Sequence, residues 1–143
     1  MIDVTNFLKT GEIRDYKVGT RLEFIPDIDK YEKHYFNDDE PQYGFHIFTD
    51  EIDLSITENE LTCVSVPIAN NHVTILNKFN ITVTTSLDRF LDYLSFLDLE
   101  WEFNSRHCHG HQLMLELKSG VQITFGFNDR NGLFVSKIQK YSF

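Results

Sequence analysis

Gln112-Leu113-Met114-Leu115-Glu116-Leu117-Lys118-Ser119-Gly120-Val121-Gln122-Ile123-Thr124-Phe125-Gly126, continued to Ile138, is the stretch on which the fold turns. Leu113, Leu115 and Leu117 alternate with Met114, Glu116 and Lys118, the period of a strand with one face buried. Ser119-Gly120 turns the chain, and Val121, Ile123 and Phe125 then alternate with Gln122, Thr124 and Gly126. Asn131-Gly132 is a second turn signal, because both residues tolerate positive φ. Leu133, Val135 and Ile138 return on a third strand. Such a meander needs a cover for its apolar face.

The clearest cover lies just upstream. Thr85-Ser86 offers an N-cap with Asp88 in the first turn, and Leu87, Phe90, Leu91, Leu94 and Leu97 follow at helical spacing. Leu99 to Phe103, with the only tryptophan at Trp101, reads as a strand leading out of that helix. Towards the N-terminus, Asp3 is placed to cap a short helix through Phe7 and Leu8, with Gly11 as its stop. Thr20 and Glu23 have capping-box spacing, but Pro26 limits that helix to one turn or restarts it at Pro26. In the second case Ile28, Tyr31 and Tyr35 share a face. Tyr43 to Phe48, Ile52 to Ile56 and Leu61 to Ile68 have strand composition, with turns at Thr49-Asp50 and Glu58-Asn59, and His72 to Leu76 is a further short strand. The pattern predicts one α+β domain over residues 1–143, built as two helix-plus-antiparallel-meander halves.

Composition narrows the function classes. Hydrophobic residues make up 41% of the 143, enough for a packed core. No apolar run approaches the ~20 residues of a membrane span, the N-terminus lacks a secretory pattern, and two cysteines are too few for a disulfide framework. The expectation is a cytoplasmic protein without a membrane partner. The net charge of −9 argues against direct nucleic-acid binding. That charge is lopsided: residues 1–68 hold 15 acidic against 6 basic residues, residues 69–143 hold 7 of each. An acidic half of this kind suits the steering of a basic partner.

Motifs for catalysis are sparse. Arg106-His107-Cys108-His109-Gly110-His111 is the one metal-like cluster, since His107, His109 and His111 would share a side in an extended chain. It defines the alternative reading, a metal-dependent enzyme or metal-binding protein; the plainer reading is exposed loop histidines. Cys108 between histidines has a nucleophile's neighbours but not its geometry, and Cys63 reads as a core residue. The scattered glycines make no phosphate loop, and no cofactor motif is present.

Several segments carry a resemblance: Asn6-Phe7-Leu8-Lys9-Thr10-Gly11, Lys17-Val18-Gly19-Thr20, Tyr43-Gly44-Phe45-His46-Ile47-Phe48, Ser86-Leu87, Phe90-Leu91-Asp92-Tyr93-Leu94, Leu99-Glu100-Trp101, and Ser119-Gly120-Val121 before Phe125. In these the chain resembles small bacterial immunity proteins of polymorphic toxin and contact-dependent growth inhibition systems. It departs from their pattern at Phe24-Ile25-Pro26. The resemblance implies a non-catalytic protein that binds and neutralises a cognate toxin C-terminal domain, with a basic nuclease as the expected kind. The partner-binding residues expected from the charge map are Asp27, Asp29, Glu32, Asp38, Asp39, Glu40, Asp50, Glu51 and Asp53, with Tyr31 and Tyr35 among them. A non-enzymatic adaptor is the remaining alternative.

Overall fold

The computed structural model describes residues 1–127 and 132–142, so Asn131 of the expected second turn lies outside the described residues. Its elements run β1 (Ile2–Asp3), α1 (Thr5–Thr10), β2 (His34–Tyr35), β3 (Phe45–Phe48), β4 (Asp53–Thr57), β5 (Glu60–Pro67), β6 (Val73–Ile75), β7 (Phe79–Ile81), α2 (Leu87–Phe96), β8 (Trp101–Phe103), β9 (Gln112–Leu117), β10 (Gln122–Phe127) and β11 (Leu133–Tyr141). Single 3-10 turns lie at Leu22–Phe24, Ile28–Lys30, Pro41–Tyr43 and Ser105–His107.

Eight strands form one antiparallel sheet in the order β2-β3-β4-β5-β11-β10-β9-β8. Two four-stranded meanders thus meet where β5 pairs with β11. A second sheet, β1-β6-β7, joins the N-terminus to the segment before α2, with β1 parallel to β6. Among the described residues the domain is mostly β with two helices. Each meander follows a helix in chain order, but contacts cross between the two halves. β1, β6 and β7 leave the large sheet, and α1 is tied to the other meander by Ser119 Oγ, which donates to Leu8 O at 2.8 Å. No helix among the described residues is long and apolar enough to cross a membrane.

Local chemistry explains most element ends. Gly11, at φ 79°, closes α1 by donating its N–H to Phe7 O. Ser86 Oγ accepts from Arg89 N and starts α2. Glu58 and Asn59 both have positive φ, as a two-residue hairpin between β4 and β5 requires. Asp3 sits one residue earlier than a cap, in β1. It still takes the Thr5 N–H on Oδ1, while Oδ2 accepts from Thr74 and from Asn77 N and so ties β1 to β6. The stretch at 20–35 holds two 3-10 turns rather than a helix, because Asp27 after Pro26 turns at φ 57°. Tyr35 therefore leaves the face of Ile28 and Tyr31 and stands on β2. Asp98, at φ 57°, shortens the expected Leu99 strand to Trp101–Phe103.

One face of the large sheet carries the core. Phe7, Leu54, Ile56, Phe90, Leu115, Ile123, Phe125 and Ile138 are fully buried there, with the Phe90 and Phe125 rings edge to face at 5.7 Å. The other face departs from expectation. In β10 the polar positions are buried too: Gln122 is 9% exposed and Thr124 4%, beside Gln139 at 3%.

Candidate functional site

The sheet register sorts the acidic candidates into separate places. His34 pairs with His46 and Tyr35 with Phe45, so the chain before β2 runs towards the Phe48 end of β3 and the chain after it towards the Phe45 end. Asp27, Asp29 and Glu32 precede β2, and Asp50 follows β3, whereas Asp38, Asp39 and Glu40 occupy the turn beyond Phe45. Glu32 and Asp50 on one side and Asp38, Asp39 and Glu40 on the other therefore bracket the β2–β3 edge, about 13 Å apart along β3. Asp27 and Asp29 instead line a pocket with Leu22, whose N–H donates to Asn59 O in the β4–β5 hairpin.

Their surroundings differ. Asp27 pairs with Lys30 at 2.9 Å, and Glu32 lies 3.9 Å from His34. Asn37 shapes the other group, its Oδ1 accepting from Asp39 N and its backbone oxygen from Glu40 N. The Tyr43 hydroxyl donates to Glu40, which holds its phenol above the ordinary range. Asp29, Asp38, Asp39 and Asp50 are exposed and have no ion pair among the described residues. Tyr31 is half-buried against the core, and Tyr35 is exposed with its ring 5.8 Å from Phe45.

Glu51 does not join this edge, and Asp53 lies beside it on β4. Glu51 is bound within the chain, by the Met1 amino group at 3.2 Å and by Arg14. The Arg14 hydrogen bond holds its carboxyl below the ordinary range; burial opposes this and the N-terminal amine adds to it. A depressed folded value contributes stability above the unfolded value of about 4.3, and that contribution is lost as pH falls through the folded value. Glu51→Gln should therefore lower stability at neutral pH by about 1 kcal/mol, since the cluster is partly solvated. It should also flatten the acid limb of Tm against pH; an unchanged limb would contradict the pairing. Asp53 is half-buried on the open face of the sheet, opposite Phe48 and Ser65. Burial pushes its carboxyl up, and His46 works the other way.

Sequence reading missed a cluster of rings on the same edge. Phe36 meets His46 at 4.4 Å, His34 meets Phe48 at 5.1 Å, and His46 stacks with Phe48 at 6.0 Å. Phe36 and Phe48 are 42% and 52% exposed, an apolar plate lying between the two acidic groups. The signal was the period-2 spacing of His34 with Phe36 and of His46 with Phe48.

A cleft of about 750 Å³ opens on the other half of this sheet face, floored by β9, β10 and β11 and flanked by β8 and the Ser105–His107 turn. Cys108 pins the loop over β9: its Sγ is 3.5 Å from Met114 N and 3.6 Å from Met114 O. The three loop histidines do not converge. His107 lines the cleft, His109 makes a backbone pair with Gln112, and the His111 ring packs edge-on to Phe127. Among the described residues no three His, Cys, Asp or Glu side chains are grouped to hold a metal ion. Burial pushes the Cys63 thiol up to about 11, away from nucleophilic use at neutral pH.

Comparison with protein-family models, with curated proteins and with solved structures gave no match. The geometry therefore carries the functional argument alone.

Proposed function

We propose that this chain is a cytoplasmic immunity protein that neutralises a cognate toxin domain by binding it, without a reaction of its own. The β2–β3 edge carries the reading: unpaired carboxylates at both ends, exposed rings between them. An apolar centre with a charged surround suits protein recognition, and the negative charge suits a basic partner such as a nuclease. Each of the two meanders with its preceding helix is proposed as one half of the domain. Residues 27–43 with Asp50 then form the docking surface, while Glu51 and Asp53 are reassigned to stability and to the open sheet face.

The test is capture of the neighbouring gene's toxin domain. Replacing Asp38 and Asp39 together by lysine should slow association by about tenfold at low salt, within the range of electrostatic steering, and leave dissociation nearly unchanged. Raised salt should shrink the difference. An association rate that neither change alters would remove this edge from the encounter.

A further inference from the structure

β8 is the far edge of the eight-stranded sheet, opposite the edge proposed to meet a toxin. Its backbone phase follows from its neighbours. Leu117 N donates to Val121 O on the β10 side, so the odd-numbered residues of β9 bond to β10 and the even-numbered ones, Met114 and Glu116, bond to β8. Asn104 N on Met114 O at 2.9 Å keeps the same phase. Glu102 therefore bonds to Glu116, and the N–H and C=O groups of Trp101 and Phe103 point away from the sheet. None of these backbone groups has a hydrogen-bond partner among the described residues.

The side chains of β8 follow the same alternation. Trp101 stands opposite Leu117 and Phe103 opposite Leu115, so both rings extend the core-side rows. The rings meet edge to face at 5.1 Å yet are 38% and 52% exposed, since no described strand pairs beyond β8. Trp101 also lines a groove with Leu91 and Ser95 of α2. On the opposite face Glu102 is directly across from Glu116, a like-charge pair that weakens the ladder. From Phe90 to Ser105 the chain carries Asp92, Asp98, Glu100 and Glu102 and no Lys or Arg. Of these only Glu100 has an ion pair among the described residues, with Lys118 at 2.6 Å.

We propose that β8 takes one further antiparallel strand from a protein partner, with apolar residues opposite Trp101 and Phe103 and a lysine or arginine opposite Glu102. Strand addition draws affinity from main-chain bonds and specificity from alternate side chains. Register decides against a second copy of this chain. A two-fold axis at Glu102 is the register that pairs Trp101 of each copy with Phe103 of the other. It would set the two copies of Glu102 side by side with a Glu116 beyond each, an unbroken row of carboxylates. A cation opposite Glu102 relieves the existing like-charge pair instead. This surface goes beyond toxin docking and does not depend on it.

The full-length protein titrated with acetyl-Lys-Val-Lys-Val-Lys amide at low salt tests it, with Trp101, the only tryptophan, as the fluorescent reporter. A saturable change is expected. The peptide N-methylated at both valines, whose N–H groups would face β8, should bind at least about tenfold more weakly, whereas N-methylation of the central lysine should leave binding intact. The same peptide with glutamate for lysine should also bind at least about tenfold more weakly. Phe103→Pro, which removes an outward N–H but no bond to β9, should bind more weakly than Phe103→Ala. Absence of a saturable change, equal binding of the valine-methylated or glutamate peptide, or equal binding by folded Phe103→Pro and Phe103→Ala would overturn the proposal. Sedimentation showing a dimer of the parent that Phe103→Pro abolishes would overturn it in favour of a second copy.

Discussion

Gly44→Ala should destabilise the protein by about 3 kcal/mol or more and loosen the acidic turn at 37–43. Gly44 joins that turn to β3 at φ 121°, a region closed to side-chain-bearing residues at a cost of about 1–3 kcal/mol. A methyl group there would overlap the backbone oxygen of Ile56 on β4 and lie 2.8 Å from the Phe36 ring. Relief requires the backbone to move, because Ile56 is held in the sheet and fully buried. The Gly44 carbonyl also accepts from Phe36 N at 3.1 Å, so displacement releases the strand carrying the ring plate. Urea unfolding should show a lower midpoint, and hydrogen exchange should show faster amides over 36–44. A midpoint within about 0.5 kcal/mol of the parent, the ordinary range for surface changes, would mean that this backbone conformation is not adopted.

Phe125→Ala should cost about 4 kcal/mol, the usual scale for a large aromatic removed from a core. Phe125 is fully inaccessible, and its partner Phe90 is the ring through which α2 seats on the sheet. Alternation along β10 sets the Phe125 ring under the helix with Thr124 on the cleft side, and the register shift opposite them inserts Ser136 into β11. Loss of the ring should therefore lower the unfolding midpoint and also broaden the amide signals of the cleft floor. A loss below about 1 kcal/mol would show that α2 is held by its other contacts, chiefly through Leu94 and Tyr93.

These two positions also mark what the sequence could reveal. Phe125 and Phe90 were legible, because alternation and helical spacing follow directly from strand and helix geometry. So were the hairpin at Glu58-Asn59 and the Gly11 stop, where local backbone chemistry decides. Residues 20–35 were legible in part: Pro26 allowed a single turn or a restart, and a single 3-10 turn at Leu22–Phe24 forms, while the positive φ at Asp27 leaves only one more such turn after it. Gln122 and Thr124 read as the unburied face, because alternation shows that two faces differ without showing what covers each. Their burial depends on a concave sheet and on the loop held by Cys108, neither of which is local. The same limit applies to Glu51, whose partners Arg14 and Met1 are distant in sequence. The acidic excess was visible as a sum, whereas its division around β3 follows from strand pairing alone.

The β2–β3 edge, with its bracketing carboxylates, is proposed as the place where a toxin domain is held. Hydrogen–deuterium exchange of the protein alone and in complex with the neighbouring gene's toxin domain tests it most directly. Added protection is expected over residues 27–48 and at Asp50, with the β8–β11 cleft unchanged. Protection confined to residues 101–141, or no stable complex with that domain, would contradict it.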